Sequence, residues 1–301
     1  MSELLSDNQD VVVLDDLSNG CLSNVPAAAS FIEGSILDED LLSKLFSRHK
    51  FAHIFHAAAF AAEGLSHYVK SHTYRVNVLG TANLINASIN HGVKCFVFMS
   101  SAAVYGDTRG PATEDMVPKP NDSYGVAKYA IEEELRCSRA MFGLDYIVFR
   151  AHNVFGERQN IWDRYRNVVG IFMNEIMLGR PLTIFGDGSQ SRCFTYVRDI
   201  SRIIALSPRF AAAYGHVFNI GSDERTSVAD LARMVAAKLN VPLAVRSLPD
   251  RQEVHSVILC HHKVQKFGSS WNRVGKNRPF RSPEMPPSGG SSAHGAVWED
   301  K

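Results

Sequence analysis

The stretch Cys95-Phe96-Val97-Phe98-Met99-Ser100-Ser101-Ala102-Ala103-Val104-Tyr105-Gly106 decides the fold. Its first five residues form an uninterrupted apolar run and read as a short strand. Val11-Val12-Val13-Leu14 is a second such run, β-branched and stopped by Asp15-Asp16, which suits a strand covered on both faces of a parallel sheet. His53-Ile54-Phe55-His56 and Tyr146-Ile147-Val148-Phe149-Arg150 are two more. Helical stretches lie between them. One starts at Asp38-Glu39-Asp40, with acids at its positive end. A second runs from Asn77 to Asn90, with Val78, Ala82, Leu84, Ile85 and Ile89 near helical spacing. A third runs from Tyr124 to Phe142 and stops before Gly143. Alternating strands and helices with short links predict an α/β fold with a doubly wound parallel sheet.

From about residue 151 the rhythm changes, and strands are expected to become scarcer and turns more frequent. Phe185-Gly186-Asp187-Gly188 is a tight turn signal. Val217 to Gly221 reads as a short strand, followed by a helix from Ser227, a good N-cap, to Leu239. From 275 to 301, 12 of 27 residues are Gly, Pro or Ser, too few apolar groups to offset the entropy of ordering. The expected organisation is a sheet domain at 1–150, a smaller region at 151–266 built onto it, and a disordered tail at 267–301.

Composition narrows the function. Hydrophobic residues at 45% and charged residues at 21% are globular values. Lys+Arg at 32 against Asp+Glu at 31 leaves a net charge of +1, no general electrostatic reason to bind nucleic acid or an anionic membrane. No apolar stretch approaches the roughly 18 residues that span a bilayer. The opening Met-Ser-Glu-Leu-Leu-Ser-Asp-Asn has no basic run, so no signal peptide is read there. The five cysteines, Cys21, Cys95, Cys137, Cys193 and Cys260, are odd in number and form no C-x-x-C pair. Reduced thiols in a cytoplasmic protein are expected, not a disulfide framework or a zinc site. His261-His262 beside Cys260 lacks a carboxylate at ligand spacing, so no metal is expected.

The chemistry centres on Tyr124-Gly-Val-Ala-Lys128. A tyrosine and a lysine four residues apart share one helix face. The ammonium favours phenolate, and a phenol tuned toward neutrality can take or return a hydroxyl proton. The spacing alone is common, but Ser100-Ser101 ends the strand before it, where open α/β sheets bind ligands. Asn77-Val-Leu-Gly-Thr81 stands upstream in the right order. Asp15, at the end of the Val11 strand, is either a turn former or an acceptor for an adenosine ribose.

These segments together resemble the extended short-chain dehydrogenase/reductase superfamily, among its NAD-dependent epimerases and dehydratases of nucleotide sugars, with UDP-glucose 4-epimerase-like members most similar. The resemblance runs from Val11 to Lys266. It is carried by Val13-Leu-Asp-Asp-Leu-Ser-Asn-Gly20, His56-Ala-Ala-Ala59, Asn77-Val-Leu-Gly-Thr81, Ser100-Ser-Ala-Ala-Val-Tyr-Gly106, Tyr124-Gly-Val-Ala-Lys128, Arg150-Ala-His-Asn-Val-Phe-Gly156 and Arg180-Pro-Leu-Thr-Ile-Phe-Gly-Asp-Gly188.

The resemblance implies a Rossmann-like sheet, NAD as cofactor and a UDP-hexose as substrate. It assigns Ser101, Tyr124 and Lys128 to catalysis. It places Asp15 and Asn19 at the adenosine ribose, Ser35 and Ile36 at the adenine, and Ala57, Ala58 and Ala59 along the cofactor backbone. Asn77 matches the structural asparagine of its motif, and His152 falls beside the nicotinamide. Asn153, Phe185, Arg192 and Arg251 fall on the sugar-nucleotide side, the arginines at the diphosphate. Arg158, Trp162, Arg164, Tyr165 and Arg166 fit a loop over the substrate better than a nucleic-acid surface. A homodimer is implied by the family alone.

Four departures accompany the match. The family opens with a strand and a glycine-rich phosphate turn, whereas residues 1–10 contain no glycine and Ser2 to Asp10 read as the back half of the first helix. The sheet is therefore expected to lack its first strand. Ser35 stands where an acid is usual, Cys193 where an Asp is common, and the Gly/Pro/Ser tail where the family has helices. The expected activity is interconversion of UDP-glucose and UDP-galactose type sugars by transient oxidation at C4. A 4,6-dehydratase would need an Asp-Glu pair where Ala102-Ala103 stand. The reading from another class is a catalytically impaired relative that binds a nucleotide sugar or a partner protein.

Overall fold

Each apolar run read as a strand becomes one. The computed structural model describes residues 1–249 apart from 109, 164 and 166. Its strands are β1 (Val12–Asp15), β2 (Ser30–Glu33), β3 (His53–His56), β4 (Cys95–Ser101), β5 (Asp145–Ala151), β6 (Val154–Phe155), β7 (Leu182–Phe185), β8 (Ser191–Cys193), β9 (Thr195–Tyr196), β10 (His216–Ile220), β11 (Arg225–Ser227) and β12 (Val245–Leu248). Its helices are α1 (Ser2–Ser6), α2 (Glu39–Arg48), α3 (Glu63–Ser66), α4 (Lys70–Tyr74), α5 (Thr81–Asn90), α6 (Ser123–Phe142), α7 (Val168–Met177), α8 (Val197–Leu206) and α9 (Val228–Lys238).

The main sheet is wholly parallel in the order β10-β5-β4-β3. Both faces are covered, as a parallel sheet requires. On one face Phe96, Phe98, Tyr146 and Val148 pack with Leu42, Leu84, Ile131 and Leu135 of α2, α5 and α6. On the other, Cys95, Val97, Ile147 and Phe149 pack with Ile200 of α8. β1 and β2 form a separate parallel pair. Leu14 and Ile32 of that pair rest on the first core, but among the described residues neither β1 nor β3 has a second partner strand. The sheet is thus in two pieces, divided where a strand was expected to be lacking.

The start and stop signals work locally. Asp38, Asp122 and Ser227 each cap a helix by accepting a backbone N–H three residues on. Gly143 ends α6 in the left-handed conformation, with φ of 73°.

Beyond residue 151 the expectation of scarcer strands is corrected. Seven strands follow among the described residues, but each is only two to five residues long and most sit in two-stranded pairs, β6-β9, β7-β12 and β8-β11. Pairing this short needs no long apolar run, so the sequence pattern carries no trace of it. β2, Ser-Phe-Ile-Glu, escapes the pattern for the same reason. β10 and α8 return to the main sheet, so the described residues after 151 share a core with the first 150. A second core, with Phe155, Phe172, Leu182, Phe194, Leu231 and Val235, holds α7 and α9 together. The tail expected at 267–301, Cys260 and His261-His262 lie outside the described residues. Cys21, Cys95, Cys137 and Cys193 are free thiols. Among the described residues no helix is long and apolar enough to cross a membrane.

Candidate active site

Ser101 closes β4, and the chain turns at once into a 3-10 turn, Ala102–Tyr105. Its Oγ accepts the Ala103 N–H at 3.1 Å, which leaves the hydroxyl proton for another acceptor. The first turn of α6 rests on this turn. A Cβ on Gly125 would lie 2.6 Å from the Ala103 carbonyl oxygen, so only glycine permits the approach. The approach brings half-buried Tyr124 beside the end of β4. The Tyr124 N–H donates to Ser66 Oγ of α3 at 3.2 Å. One turn further on, Lys128 Nζ donates to the Met99 carbonyl at 2.8 Å and stands 5.7 Å from the centroid of the Tyr124 ring. Ser101, Tyr124 and Lys128 therefore converge at the carboxyl end of β4.

Lys128 is only 3% exposed. Burial lowers its pKa to about 7, against the opposing pull of Glu132. His56, at the end of β3, is buried too, and desolvation, with the Lys128 charge second, holds it down to about 3. Its tautomer follows from its partner. Thr81 Oγ1 spends its proton on the Asn77 carbonyl at 2.7 Å, so His56 Nε2 is the donor in the 2.8 Å contact with Thr81.

Asn77 lies in a π-helical turn, Arg75–Gly80, ahead of α5. Its side chain clamps the loop after β3, accepting the Phe60 N–H at 2.8 Å and donating to the Phe60 carbonyl at 3.0 Å. Ala57 and Ala58 are exposed on this loop and Ala59 is half-buried. Small side chains there leave the backbone open to a ligand.

The β4–β5 register sets Ala151 opposite Ser101, so His152 and Asn153 leave β5 at the level of the serine. His152 Nε2 donates to the Ser222 carbonyl at 2.8 Å. Asn153 is held at φ of 41°, in the left-handed region, and its Nδ2 donates to the Cys193 carbonyl at 3.0 Å. That bond ties β8, which carries Arg192, to the site. Phe185 ends β7 on the β7-β12 pair. Asp15, Asn19, Ser35 and Ile36 belong to the other piece of sheet. Asp15 Oδ1 accepts the Leu17 N–H at 2.8 Å, and a Cβ on Gly20 would come within 2.7 Å of it, so the turn folds tightly over the carboxylate. Ser35 Oγ accepts the Leu37 N–H at 3.2 Å, and Ile36 is buried against Gly80. Asn24 and Arg158 exchange two hydrogen bonds of 3.0 Å, joining the loop after β1 to the one after β6. Arg251, Arg164 and Arg166 lie outside the described residues.

Several residues that hold this region together carry no role legible in the sequence. Ser66 holds the Tyr124 N–H, and His56 ties β3 to Thr81 of α5. Glu132 and Arg150 form a buried ion pair, 3% and 4% exposed at their side chains. A signal existed: Glu132 lies one helical turn past Lys128, and Arg150 ends an otherwise apolar strand. A groove of about 410 Å³, lined by Phe155, Val169, Phe194, Leu231, Met234 and Val235, includes none of Ser101, Tyr124 and Lys128.

The comparisons with known proteins agree on one family. The description "NAD dependent epimerase/dehydratase family" matches residues 1–221. A UDP-glucose 4-epimerase of Mycolicibacterium smegmatis is 34% identical over 251 residues, covering 80% of this chain and 79% of its own. The solved UDP-glucose 4-epimerase of Thermotoga maritima with UDP-glucose is 33% identical, with a TM-score of 0.84 over 88% of this chain and 86% of its own. The solved UDP-glucose 4-epimerase of Thermus thermophilus in complex with NAD is 29% identical, with a TM-score of 0.83 over 89% and 88%.

Proposed function

The chain belongs to the NAD-dependent epimerase/dehydratase family, and from that premise we propose that it epimerises a UDP-hexose at C4, of the UDP-glucose/UDP-galactose kind. One observation carries the reading: Tyr124 and Lys128 share a face of α6 at the end of the strand that delivers Ser101.

In this reading Tyr124, as phenolate, takes the proton of the sugar 4-hydroxyl and later returns it. Ser101 donates a hydrogen bond to the same oxygen, since its own acceptor duty is met by Ala103. The ammonium form of Lys128 favours phenolate and offers its remaining N–H groups to a ribose. NAD, when bound, supplies the acceptor and the source of the C4 hydride. The residues that would hold it are Asp15 for the ribose of the adenosine, Ser35 and Ile36 for the adenine, the Asn77-clamped loop of Ala57, Ala58 and Ala59 for its backbone, and His152 for the nicotinamide. Asn153, Phe185, Arg192 and Arg251 would hold the sugar nucleotide. Ala102 and Ala103 supply no acid for a 4,6-dehydration. We further propose that two copies pair through helix faces bearing Leu79 and Val126, 50% and 40% exposed.

The test is conversion of UDP-glucose to UDP-galactose with added NAD. Tyr124→Phe should lower turnover by roughly 10²–10⁴-fold, the range for losing a general acid–base group. Near-parental turnover in that variant would remove Tyr124 from the mechanism. A parent that binds UDP-glucose by calorimetry and turns none over would be the impaired, binding-only relative instead.

A further inference from the structure

Three adjacent strands carry a polar residue in a single row across the main sheet. Ser100 of β4 pairs with Arg150 of β5, and Arg150 with Asn219 of β10. The two preceding rows of this face are aromatic or aliphatic, and all three polar residues are 5% exposed or less. The helix over them, α6, adds Glu132. Arg150 forks onto the carboxylate, Nε to Oε1 at 3.0 Å and Nη2 to Oε2 at 2.5 Å. Ser100 Oγ donates to Oε1 at 2.5 Å. Arg150 Nη1 donates to the Tyr105 hydroxyl at 2.8 Å, and the Tyr105 hydroxyl donates to Asn219 Oδ1 at 2.7 Å. Asn219 completes its bonds through its N–H to Glu114 and its Nδ2 to the Ala112 carbonyl.

A buried ion pair is a poor device for stability alone, because desolvation consumes most of the attraction. Its placement points to a different purpose. Glu132 follows Lys128 by one helical turn, and Ser100 follows Met99 by one residue. Lys128 donates to the Met99 carbonyl while Ser100 donates to Glu132. Two successive turns of α6 are thereby fastened to two successive residues of β4, immediately before Ser101. The groups around the Lys128 amine are Tyr124 and Glu132 on α6, His56 on β3 and the Phe98 ring on β4 at 4.7 Å, while Arg150 on β5 stands beyond Glu132. Glu132 is the anion among them.

We propose that Glu132 is a positioning residue for Lys128: its carboxylate, gripped by Arg150 and Ser100, fixes the amine at the end of β4 and supplies the buried negative charge opposite it. Arg150 is the clamp that keeps the carboxylate ionised and in place. The catalytic meaning rests on reading Lys128 as the partner of Tyr124. The test needs neither NAD nor a sugar, so its failure stands apart from failure of that reading.

The experiment follows the Lys128 ε-carbon by NMR through a pH titration of the whole chain labelled with ¹³C-lysine, the signal assigned by its loss in Lys128→Met. The parent should titrate at about 7. Glu132→Gln/Arg150→Met removes both charges together but keeps an acceptor for Ser100. Its Lys128 midpoint should fall by about one pH unit or more, the scale of losing a nearby opposite charge. Glu132→Asp, which keeps the charge, should stay close to the parent. Arg150→Met alone removes the cation that keeps Glu132 ionised, so its midpoint should also fall, toward that of the double variant. A midpoint unmoved in both Arg150 variants overturns the proposal. So does loss of cooperative folding in both, because the network would then serve the fold and not the amine.

Discussion

Burying an amine has a free-energy cost, and at Lys128 the pH range of that cost is fixed. The unfolded chain keeps the lysine proton up to its ordinary 10.5, whereas the folded chain releases it at about 7. Between those values the unfolded state binds more protons, so stability rises with pH. Below about 7 both states are protonated and the full cost is felt. His56 adds an acid limb of the same sign: the unfolded imidazole takes a proton near 6.5 and the folded one only at about 3, so stability is lost as pH falls between them. Lys128→Met should therefore flatten the slope between pH 7 and 10 and raise stability at pH 7 by roughly a few kcal/mol. Urea melts at pH 7 and 9.5 decide it, and a parent equally stable at both would refute the assignment. Tyr124, Lys128 and Ser101 were legible in the sequence because helical spacing and the end of a strand are local properties. Glu132 and Arg150 were not, because an ion pair between a helix and a strand depends on how α6 settles on the sheet.

Two elements meet at Gly125, and their approach sets the distance between Tyr124 and Ser101. A side chain there would strike the Ala103 carbonyl at 2.6 Å, a backbone atom that cannot swing aside. Gly125→Ala should cost roughly 1–3 kcal/mol through overpacking. It should also lift the start of α6 away from the turn after β4. Turnover should then fall further than the loss of folded protein explains, since small misplacement of reacting groups is expensive. Activity measured per folded molecule, with folding followed by circular dichroism, separates the two effects; equal losses would argue that the glycine serves stability alone. The glycine was visible within Tyr124-Gly-Val-Ala-Lys128, but its reason was not. The same holds for Asn77, which the sequence placed in a motif and the structure shows clamping both backbone groups of Phe60.

At the scale of the molecule, Leu79 and Val126 stand apart from the core as exposed aliphatic groups on the π-helical turn and on α6. If these faces pair about a two-fold axis, each residue is buried twice in one assembly. Light scattering should find a dimer in the parent and a monomer in Leu79→Glu/Val126→Glu, while a monomeric parent at tens of micromolar would end the idea. The alternation of apolar runs and helical faces determined by itself that this chain builds a parallel α/β sheet, because burial on two faces demands continuous apolar strands. The order of the strand-end serine, the tyrosine and the lysine marked by itself the residues proposed to carry the chemistry. Only the tertiary structure decided that β10 returns to pair with β5, and that six further short strands, β6 to β9, β11 and β12, lie in the described part of the second half. Hydrogen bonds between strands distant in sequence leave no periodicity behind when the strands are two to five residues long. The row of Ser100, Arg150 and Asn219 likewise exists only once register is set, since three polar residues far apart in sequence become neighbours through backbone pairing alone.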